Sequence, residues 1–266
     1  MNINITIGQF YPIDSTMHRL DPRVKLLAVF AYVMFLFMSI NMWGYILGAV
    51  GLGIVIAMSN VPPKYMFKGL RSIIGIIMFT VLLNLFFVPG ENVIFSWGFI
   101  TLTMEGIYTA GKMASRLILL IVASSVLTLT TSPIELTDAI EYALKPLKRL
   151  GVPSHEIAMM MTIALRFIPT LMEEVDKIMK AQIARGADFD TGNIMQKAKS
   201  LIPLLVPLFI SSFRRADELA LAMEARCYQG DVNRTRMKEL KFEQRDYLFL
   251  VCLLIFGAGI ILTRFI

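Results

Sequence analysis

The sequence predicts an all-α integral membrane protein, with about five transmembrane helices and three cytoplasmic helices, two of them long and amphipathic. Three observations lead there. Of the 266 residues, 56% are hydrophobic and 17% charged, where soluble domains average about 25% charged. The apolar residues gather into runs that approach or exceed the roughly 20 residues needed to cross a bilayer. Finally, the 26 Lys and Arg residues are divided very unevenly among the connections, as the positive-inside rule requires of a multi-pass chain.

The opening segment, MNINITIGQFYPIDSTMHRLDPRVK, lacks the basic end, apolar core and small-residue cleavage site of a signal peptide. It reads as an amphipathic lead-in. Asp21-Pro22 supplies an N-cap and a first-turn proline for the next helix. The apolar run 24–58 is too long for one span. The polar break Ser39-Ile40-Asn41 divides it into spans at about 25–39 and 43–58, with Trp43 and Tyr45 at the interface. A loop at 59–71 carries Pro62-Pro63, Lys64, Lys68 and Arg71. The third span covers about 72–88. The connection 89–105 holds no Lys or Arg, the fourth span covers 106–130, and the last covers 247–263.

Charge sets the orientation. Arg19, Arg23 and Lys25 lie before or at the first span, three cations lie in the second loop, and seventeen lie between 131 and 245. The first and third loops have none. The N-terminus, the second loop and the large segment are therefore expected in the cytoplasm, with the C-terminus outside. Three regions follow: 1–130 with the lead-in and spans one to four, 131–245 as a cytoplasmic helical segment, and 246–266 as the last span.

Thr131-Ser132-Pro133 opens the cytoplasmic segment with Ser as cap and Pro in the first turn. A helix at 134–150 runs to Gly151-Val152-Pro153. Two long helices follow, at about 154–189 and 195–230. Ile157, Met160, Met161, Ala164, Ile168, Leu171, Met172 and Val175 keep helical spacing along the first. Pro169, Pro203 and Pro207 predict kinks or breaks. The run 201–213 is short, contains two prolines and is followed by Arg214-Arg215. It reads as an interfacial or buried amphipathic portion rather than a sixth span.

The two long patterns repeat each other. At an offset of 41 positions (217 − 176 = 41), Asp176 falls on Asp217, Ala181 on Ala222, Ala184 on Ala225 and Arg185 on Arg226. Each ends in a small-Arg-small triplet, Ala184-Arg185-Gly186 and Ala225-Arg226-Cys227. A cation in the last helical turn complements the helix dipole, and Gly186 is a natural terminator. Two such ends also make two equivalent docking points for a two-fold partner, with small neighbours that let a guanidinium enter a groove and grip a carboxylate.

Other chemistry is sparse. Gly106 to Lys112 spells GxxxxGK, but Met113 stands where Mg²⁺ binding needs Ser or Thr, and no strand is expected before it. Close packing through Gly106, Ala110 and Ala114 is the better account. Lys112 and Arg116 are expected to snorkel to the interface. Otherwise the spans hold little beyond Asn84, with no Asp, Glu or His relay, which argues against an autonomous channel or secondary carrier. No Cys/His cluster has metal-ligand spacing, and no catalytic residues or cofactor motif emerge, so an embedded enzyme is disfavoured. The net charge of +6 fits cytoplasmic loops better than a nucleic-acid face, and nucleic acid is not an expected partner.

With the lead-in GQFYPIDSTMHRLDPRVKL, the Thr-Thr-Ser-Pro opening and the tandem triplets, essentially the whole chain resembles the transmembrane T component of energy-coupling factor (ECF) transporters. The resemblance implies a non-catalytic scaffold that joins two ABC-type ATPase subunits to a small substrate-binding membrane protein, the S component. Ala184, Arg185, Gly186, Ala225, Arg226 and Cys227 would dock the ATPases, both arginines meeting acidic residues. The long coupling helices would cross, move when the ATPase dimer closes, and tilt the S component to release a vitamin or metal ion. Cys227 departs from the family pattern, where Gly is common.

Overall fold

The computed structural model describes residues 10–90, 92–97, 100–187, 189, 193–230 and 242–263. The first nine residues, part of the lead-in, and the basic stretch 231–241, used in the charge argument, lie outside the described residues. The elements run α1 (Pro22–Met38), α2 (Met42–Ser59), α3 (Pro63–Phe87), β1 (Val93–Trp97), β2 (Ile100–Thr103), α4 (Met104–Thr130), α5 (Pro133–Leu144), a 3₁₀ turn (Lys145–Leu150), α6 (Ser154–Ala184), α7 (Ile194–Ala225) and α8 (Gln244–Leu262). The chain separates into two compact units. One contains Gly8–Tyr142 and Glu239–Ile266, the other Ala143–Lys238.

In the first unit, α2, the Gly69–Phe87 portion of α3, α4 and α8 are long and apolar enough to cross a membrane. Helix α1, with 17 residues, sits at the short end of the range for a span. These helices turn large apolar side chains outward, including Phe30 (67% exposed), Trp43, Ile76 and Leu254. Water would penalise such a surface, whereas lipid does not. Several hydroxyl and amide side chains on the spans bond to carbonyls of their own helices, so they are not left unsatisfied in lipid. Thr80 donates to Ile76 O, Ser125 to Ile121 O, and Asn84 Nδ2 to Thr80 O at 2.8 Å.

The predicted caps form. Asp21 Oδ1 accepts the Arg23 N–H at 2.8 Å, with Pro22 in the first turn of α1. Ser132 and Glu135 exchange bonds in a capping box at the start of α5. Hydrogen bonds also define two ends of the spanning bundle. At one end, Asp246 Oδ1 on α8 accepts the Asp21 N–H at 2.9 Å, Lys25 Nζ donates to Thr130 O at the end of α4, and Thr16 Oγ1 donates to Met58 O near the end of α2. At the other end, Asn41 Nδ2 donates to Thr263 O, and Lys112 Nζ to Ile40 O. Helices α1 and α8 therefore run parallel, with α4 opposed, which is the alternation that five passes demand.

The core lies between α1, α2 and α4. Leu36, Tyr45, Leu52, Leu119, Val122, Ala123 and Val126 are buried in it. Tyr32 donates to Gly48 O at 3.1 Å and stacks on Phe256 of α8. Gly257 lets α8 approach α1 so closely that a Cβ there would collide with the Phe35 ring.

Several expectations change. The connection 89–105 contains an antiparallel hairpin, with Trp97 opposite Ile100 and Val93 opposite Thr103. Its run Val-Ile-Phe-Ser-Trp is short and rich in β-branched and aromatic residues, the composition of a strand. A strand thus does precede GxxxxGK. The motif nevertheless lies wholly within helix α4, capped by Thr103 Oγ1 on the Gly106 N–H, so its backbone cannot form a phosphate-cradling loop. The expected helix 134–150 stops at Leu144 and tightens into the 3₁₀ turn. Pro146 lacks an N–H and disfavours an α conformation at Lys145. In contrast, α6 continues through Pro169, and α7 through both Pro203 and Pro207. Their lost hydrogen bonds are not enough to end 31- and 32-residue helices.

Candidate docking site at two helix ends

The Ala143–Lys238 unit is built on α6 and α7. Asn193 caps α7 in a capping box, accepting through its side chain while Gln196 Oε1 accepts the Asn193 N–H at 3.0 Å. The helices touch where Arg215 Nη2 donates to Glu174 Oε2 at 3.4 Å. Gln182 Nε2 also approaches Pro203 O at 3.4 Å. Moving forward along α6 from Glu174 to Gln182 thus moves backward along α7, so the helices are locally antiparallel. Glu174 and Arg215 are themselves 41 positions apart, the offset at which the two patterns repeat. Equivalent positions of two repeats meet only on the axis that relates them.

That contact sets the placement of the triplets. Ten residues separate Glu174 from Ala184, and ten separate Arg215 from Ala225 (184 − 174 = 225 − 215 = 10). About 15 Å of helix therefore extends from the crossing to each end. Because the helices are antiparallel there, the ends lie on opposite sides of it, roughly 20 to 30 Å apart.

The two ends are closed by the same backbone device. At the first, Ala187 N–H donates to Gln182 O at 3.0 Å and Gly186 N–H to Ile183 O at 2.9 Å, with Gly186 at φ +87°. At the second, Tyr228 N–H donates to Met223 O at 3.0 Å and Cys227 N–H to Glu224 O at 2.8 Å, with Cys227 at φ +55°. Both are Schellman motifs, the residue after the Arg being left-handed. All six triplet residues are exposed. Each arginine occupies the C-cap position, and among the described residues neither guanidinium meets an acidic partner. Two free planar donors are thus presented at equivalent sites, chemistry suited to bidentate capture of carboxylates on another molecule.

Between the ends, α7 exposes Ile202, Leu205, Val206, Phe209 (60% exposed) and Phe213. The 201–213 stretch, read as interfacial or buried, is thus one turn after another of a continuous helix with only Leu204 buried among its large apolar residues. Met160 and Met172 are exposed on α6.

The other predicted residues also find places. Arg116 donates to Tyr45 Oη through Nε and Nη2 at 3.1 and 2.6 Å and lies over the Phe37 ring. Lys112 reaches the α1–α2 turn and the Tyr108 ring. Both groups sit at one end of the bundle, as snorkelling side chains do. Sequence reasoning missed a polar cluster at the opposite end. Lys25, counted only as a topological charge, is buried and bonded to two carbonyls, His18 O and Thr130 O. Asp246, only 2% exposed, accepts from both Asp21 and Glu243. Signals were available: a lysine facing into a span and an acid in the first turn of an apolar helix. His18 Nε2 donates to the Tyr11 carbonyl at 3.0 Å, leaving Nδ1 to accept from Ser15. Burial lowers the His18 pKa, outweighing the Tyr11 hydrogen bond, and nearby Lys25 lowers it further. Among the described residues no group of three or more His, Cys, Asp or Glu is arranged to hold a metal ion.

Comparison with known proteins completes the assignment. The family profile described as "CbiQ: Cobalt transport protein" matches residues 14–238. The energy-coupling factor transporter transmembrane protein EcfT of Ruminiclostridium cellulolyticum is 54% identical over 263 residues, covering 99% of this chain and 98% of that protein. Its namesake in Clostridium kluyveri is 57% identical over 98% of this chain and 97% of the relative. The Bacillus subtilis protein is 45% identical over 98% of both. These relatives are named as transmembrane components rather than as catalysts. The chain belongs to the CbiQ family and is a multi-pass transmembrane subunit of the energy-coupling factor transporter type.

Proposed function

We propose that this chain is the non-catalytic membrane scaffold of an ECF-type ABC importer. It couples ATP hydrolysis by two ATPase subunits to movement of a small S component that binds the substrate, a vitamin or metal ion. The observation that carries this reading is the pair of matched Arg-bearing helix ends placed on opposite sides of a crossing between equivalent positions. A closing ATPase dimer offers two related grooves, and a rigid crossed pair gripped at both ends is driven by their approach. Arg185 and Arg226 would pair with acidic residues there, with Ala184, Gly186, Ala225 and Cys227 clearing the approach. The exposed apolar faces near 159–168 and 201–209 suit sliding contact with the S component. In this reading the protein sits in the cell membrane, its N-terminus and the segment 131–245 in the cytoplasm. Gly186 and Cys227 differ, which favours two non-identical ATPases.

Co-purification of tagged protein with its ATPase subunits tests this. Arg185→Glu/Arg226→Glu is expected to lose the ATPases while the chain stays inserted in the membrane. Undiminished recovery by the double variant would return both arginines to helix-end charges. Cys227 adds a second readout: its exposed thiol should react with a membrane-impermeant maleimide in the free chain and be shielded in the complex.

A further inference from the structure

The 143–238 segment is joined to the membrane-spanning unit after Tyr142 and, on its other side, ahead of Phe242. Any motion of the 143–238 segment must reach the spans at least through these two connections. One side chain of α1 contacts a ring on each. The Arg23 guanidinium carbon lies 4.1 Å from the centre of the Tyr142 ring and 5.8 Å from that of Phe242. Phe242 in turn packs on Tyr247 of α8, with centroids 6.0 Å apart.

The bonding around Arg23 separates a fixed base from a soft contact. Asp21, Lys25 and Asp246 are tied by short hydrogen bonds to α1, α4 and α8. Arg23 itself is mostly buried, yet its Nε reaches Asp21 Oδ1 only at 4.0 Å and has no hydrogen-bond partner among the described residues. Among the described residues, its contacts with Tyr142 and Phe242 are made over their ring faces. An ion pair or bidentate hydrogen bond would lock a connection in one orientation, whereas a cation over an aromatic face holds it while permitting slide and rotation.

We infer that Arg23 is a positioning residue for energy coupling, the bearing on which both connections to the 143–238 segment swivel while staying attached to the spans. This rests on the coupling-scaffold reading above. It predicts that loss of the contact uncouples transport from ATP hydrolysis without preventing assembly.

The test uses the full complex in proteoliposomes, with radiolabelled riboflavin as probe and an S component that binds it. Two readouts are taken: recovery of ATPase subunits, and riboflavin transported per ATP hydrolysed. Arg23→Leu and Tyr142→Leu are expected to recover the ATPases normally while the transport-to-ATP ratio falls about two- to thirtyfold, the range spanned by typical cation–π strengths. Arg23→Lys and Tyr142→Phe, which keep a cation and a ring, should restore most of it. An unchanged ratio in both Leu variants overturns the inference. So does a parallel loss of recovery and transport with no rescue by Lys or Phe, the behaviour of a mere structural brace. If the wild-type chain recovers no ATPase, the scaffold reading falls and this inference with it. A failure confined to the variants leaves that reading standing.

Discussion

Cys227 and Gly186 occupy the same position in the same motif, one with a side chain and one without, and that allows a quantitative test of the helix ends. At φ +55°, Cys227 carries the steric penalty of an L-residue in the left-handed region, about 1–2 kcal/mol. Replacing it with Gly relieves this penalty but adds about 0.4–1 kcal/mol of unfolded-state entropy. The net for Cys227→Gly is a stabilisation of the α7 end by roughly 0.5–1 kcal/mol. Gly186→Ala runs in reverse. A Cβ at Gly186 meets nothing within 4 Å, so no clash contributes, and the φ of +87° alone should destabilise the α6 end by about 1 kcal/mol. Amide hydrogen exchange reads both ends directly. The Cys227→Gly variant should slow exchange of the amides at 227 and 228, which donate to Glu224 O and Met223 O, by roughly two- to fivefold. Gly186→Ala should speed exchange at 186 and 187 by about fivefold. Unchanged protection at both ends would refute the assignment of matched Schellman motifs and remove the structural equivalence of the triplets.

Two further outcomes follow from the geometry. The Glu174–Arg215 pair is about one-third exposed on each side, so it contributes about 1 kcal/mol or less. Glu174→Arg should lower the apparent Tm by a few degrees, and the swap Glu174→Arg/Arg215→Glu should recover most of the loss. Absence of recovery would show that the two residues do not meet at the crossing. His18 carries a pH signature: its folded pKa lies below the ordinary 6.5, so the unfolded chain binds more protons in that window. Its contribution to stability is present above pH 6.5 and is lost as pH falls towards the folded pKa. Melting curves in detergent from pH 8 to 5 should show an acid-side loss in wild type that His18→Gln lacks, and parallel profiles would contradict a lowered His18 pKa.

Much of the architecture was legible because its causes are local. The Asp21-Pro22 and Ser132-Pro133 starts depend on atoms within three residues of each other, so cap chemistry reads directly from the chain. The triplets could be placed at helix ends because Gly186 signals a left-handed terminator, and the repeat carries that inference to Cys227. Proline was a less dependable guide. Pro146, next to a helix end, changed the backbone, whereas Pro169, Pro203 and Pro207 were absorbed within long helices. A missing N–H costs one bond, and surrounding turns on both sides outweigh it.

The sequence by itself determined the membrane class, the order of the long apolar helices and the two-fold repetition of the Arg-bearing ends, since hydropathy and periodicity are properties of the chain before it folds. Only the tertiary structure decided that the repeats cross at Glu174 and Arg215, that Asp246 bonds to the backbone of Asp21 from 225 positions away, and that Arg23 lies against Tyr142 and Phe242. Which buried charge finds which partner is settled by how the helices pack. In a bilayer, where apolar faces gain little from choosing one another over lipid, close glycine contacts and scarce polar bonds make that choice.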